Sequence, residues 1–284
     1  MARGIHELAP PMALTFWRWV VAVLVLLPFV ARKLRQELPL KPQARRSIYW
    51  ICVTMAAGTT LSVVAVNFTT AINATVINAT QPALTALAAF FLVRERLFPL
   101  QTLGVVLAFL GVIGMVSQAS LGTLLQMDIN IGDLVMLGAA ICWSLYSVEM
   151  HRSTHLPSSD VLVFLIACTG IALSFPLYLI EASYFRSFQL TPVTLSAVSY
   201  LGIGSTVLAV YLWNAAIRSV GANRAAVFLN LIPVFGATFA IIFLGERILA
   251  YHVIGGLLIV IGIFFAVHRA HHRSVPPLSA EEKT

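Results

Sequence analysis

Residues 80–97 read TQPALTALAAFFLVRERL, and residues 231–248 read LIPVFGATFAIIFLGERI. At a spacing of 151 residues the second segment repeats the first, with Pro82 on Pro233, Ala86 on Ala237, Ala89 on Ala240 and Glu95-Arg96 on Glu246-Arg247. Followed outward, the same spacing lays Ala71 on Ala222, Ala74 on Ala225, Val76 on Val227, Gly104 on Gly255, Leu107 on Leu258, Gly111 on Gly262 and Val116 on Val267. Apolar composition alone can supply the Ala, Val and Leu coincidences. The weight therefore rests on the proline, the Glu-Arg pair and the two glycines.

Both segments lie in a strongly apolar chain. Its 284 residues are 59% hydrophobic and 10% charged, with a mean hydropathy of +0.90, more apolar surface than a water-soluble domain of this size can bury. A helix must run about 20 residues to cross the hydrocarbon layer, where only a continuous helix satisfies its own backbone. Nine stretches qualify, near residues 12–31, 47–66, 71–93, 99–117, 131–150, 158–181, 196–217, 222–244 and 250–268. The longest connection, 32–46, reads as a basic loop with two prolines, and 269–284 reads as a disordered, soluble tail. Cys52, Cys142 and Cys168 fall inside apolar runs, where a thiol acts as a small hydrophobe, so neither a disulfide framework nor a metal site is expected.

The basic residues mark topology. With 32–46 in the cytoplasm, strict alternation puts fourteen of the 18 Lys and Arg residues on that side, leaving Arg3, Arg186 and Arg247 opposite and Arg18 within a span. The amino terminus is then external and the carboxyl terminus cytoplasmic. Arg18 also argues against a signal peptide, because it interrupts the first apolar run. The 151-residue shift carries the third span onto the eighth, five crossings on, and an odd number of crossings turns a helix over. An all-α polytopic membrane protein made of inverted five-helix repeats, residues 1–118 and 131–268, follows. Pro157 on Pro10 and Pro176 on Pro28 pair the sixth span with the first. The partner of the fifth span would fall before Met1, so the chain is expected to begin one helix late.

Several motifs carry a family resemblance. They are Pro10-Pro11 followed by Phe16-Trp17-Arg18-Trp19; Thr69-Thr70-Ala71 leading to Gln81-Pro82; and Arg94-Glu95-Arg96-Leu97. In the second half they are Tyr211-Leu212-Trp213-Asn214, Gly221-Ala222, Asn230-Leu231-Ile232-Pro233 and Leu244-Gly245-Glu246-Arg247. Together they resemble the drug/metabolite transporter superfamily, specifically its EamA-type ten-helix members, from Glu7 to His268. The resemblance implies a bacterial inner-membrane carrier, typically exporting amino acids or related metabolites, with a central cavity between the halves.

The residues themselves nominate a solute path. Pro82 and Pro233 sit near the centres of paired spans, where a proline frees backbone carbonyls and permits bending, or simply makes a packing kink. Asn78 and Gln81 lie on one face of a polar segment; uncharged amides can bind a zwitterion, or bond neighbouring helices. Trp143 and Tyr146, and Tyr211 with Asn214, pair aromatic and polar groups at i, i+3 and could wall a cavity, as could Asn230 beside Pro233; an interfacial belt is the rival reading for Tyr211 and Asn214. Arg18 either faces the cavity and attracts a carboxylate or snorkels to the interface. Glu95-Arg96 and Glu246-Arg247 read as structural clasps at helix ends. Gly104, Gly111, Gly255 and Gly262 read as close helix packing.

No HExxH, GxSxG or GxxxxGK motif and no intramembrane pair of acids is present, which excludes the common hydrolytic, metal-dependent and ATP-driven chemistries. A secondary carrier is expected, with a non-transporting receptor or assembly factor on the same fold as the alternative. The expected partners are a small-molecule substrate and the lipid bilayer, with no cofactor, metal or nucleic acid, and a monomer or weak homodimer.

Overall fold

The computed structural model describes residues 10–38, 42–118, 120, 122, 130–184, 188–189, 191–244 and 249–268. The helices are α1 (Pro11–Glu37), α2 (Pro42–Val66), α3 (Ala71–Ala79), α4 (Gln81–Val93), α5 (Pro99–Val116), α6 (Ile131–Arg152) and α7 (Ser159–Tyr184). Beyond them run α8 (Pro192–Tyr200), a π-helical stretch (Leu201–Leu208), α9 (Ala209–Val220), α10 (Ala222–Val227), a 3₁₀ turn (Phe228–Leu231), α11 (Ile232–Leu244) and α12 (Ala250–His268). Among the described residues there is no strand, and nine helical spans are long and apolar enough to cross a membrane. Leu24, Phe29, Phe91, Leu212, Phe239, Phe243 and Ile254 stand exposed on the outside, as lipid rather than water would require.

The fourth and last spans, α5 and α12, show the inverted symmetry directly. A Cβ on Gly104 would lie 2.5 Å from the Gly262 carbonyl oxygen, and one on Gly262 would lie 2.6 Å from that of Gly104. Gly111 and Gly255 face each other in the same way, at 2.7 and 2.8 Å. Since Gly104 corresponds to Gly255 and Gly111 to Gly262, each contact is the image of the other, as a two-fold axis demands. The pairing runs antiparallel, so that axis is perpendicular to the helices and lies in the membrane plane.

A second reciprocal contact joins α1 and α7. The Glu181 carboxylate, near the end of α7, accepts from the amides of Met12 (3.1 Å) and Ala13 (2.9 Å) at the start of α1. Conversely Glu37, the last residue of α1, accepts from the Ser158 amide just before α7 (2.7 Å). Each helix thus satisfies orphan donors of the other, which water would otherwise have to reach.

The expected loop at 32–46 is largely helix. Helix α1 continues to Glu37 and α2 begins at Pro42, so Arg32, Lys33, Arg35, Arg45 and Arg46 ride on helical extensions. Arg18 is therefore not alone among basic residues in a spanning helix. A helix leaves the hydrocarbon without unwinding, and long basic side chains are at ease where it does. Among the described residues the expected side-chain clasp at Glu95-Arg96 is not formed either. Arg94, at φ 59°, closes α4 through its amide to the Phe90 carbonyl (3.1 Å) and the Glu95 amide to that of Ala89 (3.3 Å), while the Arg96 guanidinium lies 5.6 Å from the Phe90 ring. Backbone bonds satisfy the helix end, and no carboxylate is needed there. Glu246 and Arg247, and the tail 269–284, lie outside the described residues.

Candidate functional site: a midplane cavity between the halves

Both repeats break at the same place. Helix α3 stops at Ala79 and α4 restarts at Gln81, with Pro82 in its first turn; the Thr80 amide bonds the Ile77 carbonyl at 3.0 Å. One repeat later, α10 gives way to the 3₁₀ turn Phe228–Leu231, and α11 restarts with Pro233 as its second residue. The prolines stand at the starts of new half-helices, where a missing N–H costs nothing, instead of kinking a continuous one. The tightened turn takes up carbonyls that each proline would otherwise leave free.

A cavity of about 470 Å³ opens around these breaks, within the usual range for a small organic ligand. Arg18 and Trp19 of α1 line it, with Met55, Thr59, Ser62 and Val63 of α2 and Thr75, Asn78 and Gln81 around the first break. Trp143 of α6, Ser205 and Thr206 of the π-helix, Trp213 of α9, and Asn230 and Pro233 at the second break complete most of the wall. Both halves contribute. The π-helix widens the seventh span, with the Thr206 hydroxyl bonding the Leu201 carbonyl five residues back (2.9 Å).

Glycines seat two of the indoles. A Cβ on Gly58 would lie 2.9 Å from Trp143 Cδ1, and one on Gly170 would lie 2.5 Å from Trp19 Cδ2. Trp143 and Trp19 can therefore press against α2 and α7. Behind Gln81, the Thr85 hydroxyl donates to the Gln81 carbonyl (2.8 Å) and lies 3.2 Å from Ser144 Oγ, bringing α4 against α6.

Of the residues expected along a path, the structure brings Arg18, Asn78, Gln81, Trp143, Asn230 and Pro233 to the cavity wall. Pro82 is buried just behind it. Tyr146, Tyr211 and Asn214 are elsewhere. Tyr146 is fully buried, its ring 5.8 Å from that of Trp143, and its hydroxyl donates to Asn214 Oδ1. Tyr211 donates to Asp160, which also pairs with Lys33. These bonds, with buried Met150, Leu162, Ile166 and Ile217, fill the bundle between the cavity and the end where the basic residues cluster. Ser62, Val63, Thr75 and Val112 carry the cavity the other way.

At that opposite end Asp133 gathers the chain. It accepts from Thr69 Oγ1, from Asn73 Nδ2 (2.9 Å) and from the Asn130 amide (3.0 Å), locking the turn before α3 onto the start of α6. Asn73 is thus committed to structure. Sequence reasoning did not anticipate Thr59, Ser62, Ser205 or Thr206 in the wall. The available signal was a set of hydroxyl residues in otherwise apolar spans near Gly58, Gly202 and Gly204.

A cavity between two inverted halves, built at paired helix breaks, is an architecture of membrane transporters. The chain belongs to the EamA-like transporter family, whose model matches residues 1–117 and 130–268. Among similar proteins is the uncharacterized transporter YyaM of Bacillus subtilis, 29% identical over 72% of this chain and 66% of its own length. An uncharacterized transporter of Archaeoglobus fulgidus is 27% identical over 94% of this chain and 91% of its own. A protein of Escherichia coli named as a probable amino-acid metabolite efflux pump is 23% identical over 93% and 87%. A solved crystal structure superposes with a TM-score of 0.71 at 20% identity, over 90% of this chain and 88% of that one, which shows a common fold.

Proposed function

We propose that this protein is a secondary transporter that exports amino acids or related metabolites by alternating access, its halves 1–118 and 131–268 rocking about the cavity. The single observation that supports this most is the cavity, apolar with a few polar groups, assembled from both inverted halves at their matched breaks. Arg18, Asn78, Gln81, Trp143 and Asn230 contact the solute. The Tyr146–Asn214 bond and the Lys33–Asp160–Tyr211 cluster form the gate toward the basic end, and Pro82 and Pro233 are the points about which the half-helices tilt. No covalent chemistry takes part. The protein lies in a bacterial inner membrane with its carboxyl terminus in the cytoplasm, as the clustering of Lys and Arg favours, and works as a monomer or weak homodimer. The acids of the described spans sit near helix ends, not at the midplane, which favours movement down a gradient over proton antiport.

Counterflow of labelled amino acids and their metabolites into proteoliposomes tests the proposal. Exchange is expected, falling at least tenfold in Trp143→Ala or Gln81→Ala while membrane insertion is unchanged. Absence of exchange for every solute offered would overturn it.

A further inference from the structure

The cavity holds a fixed positive charge that no described residue answers. Among the described residues the Arg18 guanidinium makes no hydrogen bond or ion pair; its recorded contact is the face of Trp19, 5.1 Å from its carbon to the ring centre. No Asp or Glu lines the cavity. Among the wall residues Nε1 of Trp19, Nε1 of Trp213 and Nδ2 of Asn230 are buried donors without a partner, while the side-chain amides of Asn78 and Gln81 offer an acceptor as well as donors. The wall hydroxyls whose bonds are recorded turn to their own helices, Ser62 to the Gly58 carbonyl (2.8 Å) and Thr206 to that of Leu201. Met55, Val63, Val112 and Val210 are among the apolar residues of the wall.

An indole N–H only donates, and a guanidinium only donates in a planar fork that fits a carboxylate. An unpaired cation in a low-dielectric setting is costly, and an incoming anion relieves that cost. An ammonium would find no carboxylate, only the neutral amides of Asn78 and Gln81 and the ring of Trp143.

From an unpaired guanidinium in a wall without a carboxylate we infer that the cavity selects organic monocarboxylates with an apolar body, held through Arg18, and that an ammonium group on the solute is dispensable. The inference rests on the transporter reading and deepens it: the carboxylate is what is recognised, so 2-oxo, 2-hydroxy or deaminated acids are accepted as readily as amino acids.

The test is binding, read from the fluorescence of Trp19, Trp143 and Trp213 in the purified full chain, with three matched probes. These are 3-phenylpropionate (carboxylate alone), phenylalanine (both groups) and 2-phenylethylamine (ammonium alone). The expected order puts 3-phenylpropionate at least level with phenylalanine and 2-phenylethylamine at least tenfold weaker. Arg18→Gln should weaken 3-phenylpropionate at least tenfold without changing the affinity for 3-phenylpropanamide, and Arg18→Lys should restore part of the loss. Equal or tighter binding of the amine, a strict need for the ammonium, or no binding of either carboxylate would overturn the inference. The wild-type comparison decides even if Arg18→Gln does not fold. Carboxylate binding without exchange in proteoliposomes would refute the transporter reading alone, whereas exchange with an amine preference would refute the anion site alone.

Discussion

Single residues decide how closely the helices approach. Gly104, Gly111, Gly255 and Gly262 place backbone against backbone, so the nearest atoms to an added methyl cannot swing aside. Gly104→Ala or Gly262→Ala should destabilise the protein by about 2 kcal/mol through overpacking, seen as a lower unfolding temperature in detergent. Gly114→Ala, with nothing within 4 Å of the added carbon, should leave it unchanged. Equal effects at all three would refute the packing account. The glycines were legible in the sequence because they repeat. Glu181 was not: its carboxylate reaches amides 168 and 169 residues away, and no local pattern announces such a cap. Glu181→Ala should cost about 1–2 kcal/mol, because two amides lose their acceptor, whereas Glu181→Gln should recover much of the loss. Thermal unfolding of the two variants separates them.

Helices carry the next layer. Hydropathy located all nine spans, because crossing a bilayer imposes a length and a composition that few other segments meet. It misplaced the end of α1 and the start of α2, because a helix does not stop where the lipid stops. The paired prolines pointed to kinks at Pro82 and Pro233 but not to their form, a restart in one repeat and a 3₁₀ turn in the other. Hydropathy gave no hint of the π-helix at Leu201–Leu208, where a Cβ on Gly202 would lie 2.6 Å from Val21 Cγ1 and 3.0 Å from the Arg18 carbonyl oxygen. If the breaks are hinges, Pro82→Ala and Pro233→Ala should each leave stability intact or slightly raised while slowing exchange several-fold. Paired counterflow and thermal measurements check this, and unchanged exchange rates in both would remove the prolines from the mechanism.

Taken as a whole, the molecule is an antiparallel pair of repeats whose symmetry reached the sequence through a handful of residues and reached the structure through reciprocal contacts. Arg18, Asn78, Gln81 and Asn230 were readable as a wall because polar groups are expensive inside lipid and stand out there, and Trp143 because it pairs a ring with Tyr146 in a deep part of its span. The separation of Tyr146, Tyr211 and Asn214 from that wall was not readable, since helical spacing fixes a face but not which neighbour it meets. The gate assigned to them predicts that Tyr211→Phe with Asp160→Asn will raise passive leak of small solutes through reconstituted protein. Leak equal to the wild type would show the cluster to be structural only.

Inversion itself is open to a direct measurement that needs no substrate. In a variant lacking Cys52, Cys142 and Cys168, single cysteines are placed at the symmetry mates Phe98 and Leu249, and at Phe68 and Ser219, all exposed near helix ends. An impermeant maleimide is then applied to intact spheroplasts and to inverted vesicles. Inverted repeats require the members of each pair to label from opposite faces, with Phe98 and Ser219 on the side of the basic residues. Labelling of both members of a pair from the same face would contradict the architecture on which the cavity, the gate and the proposed transport all depend.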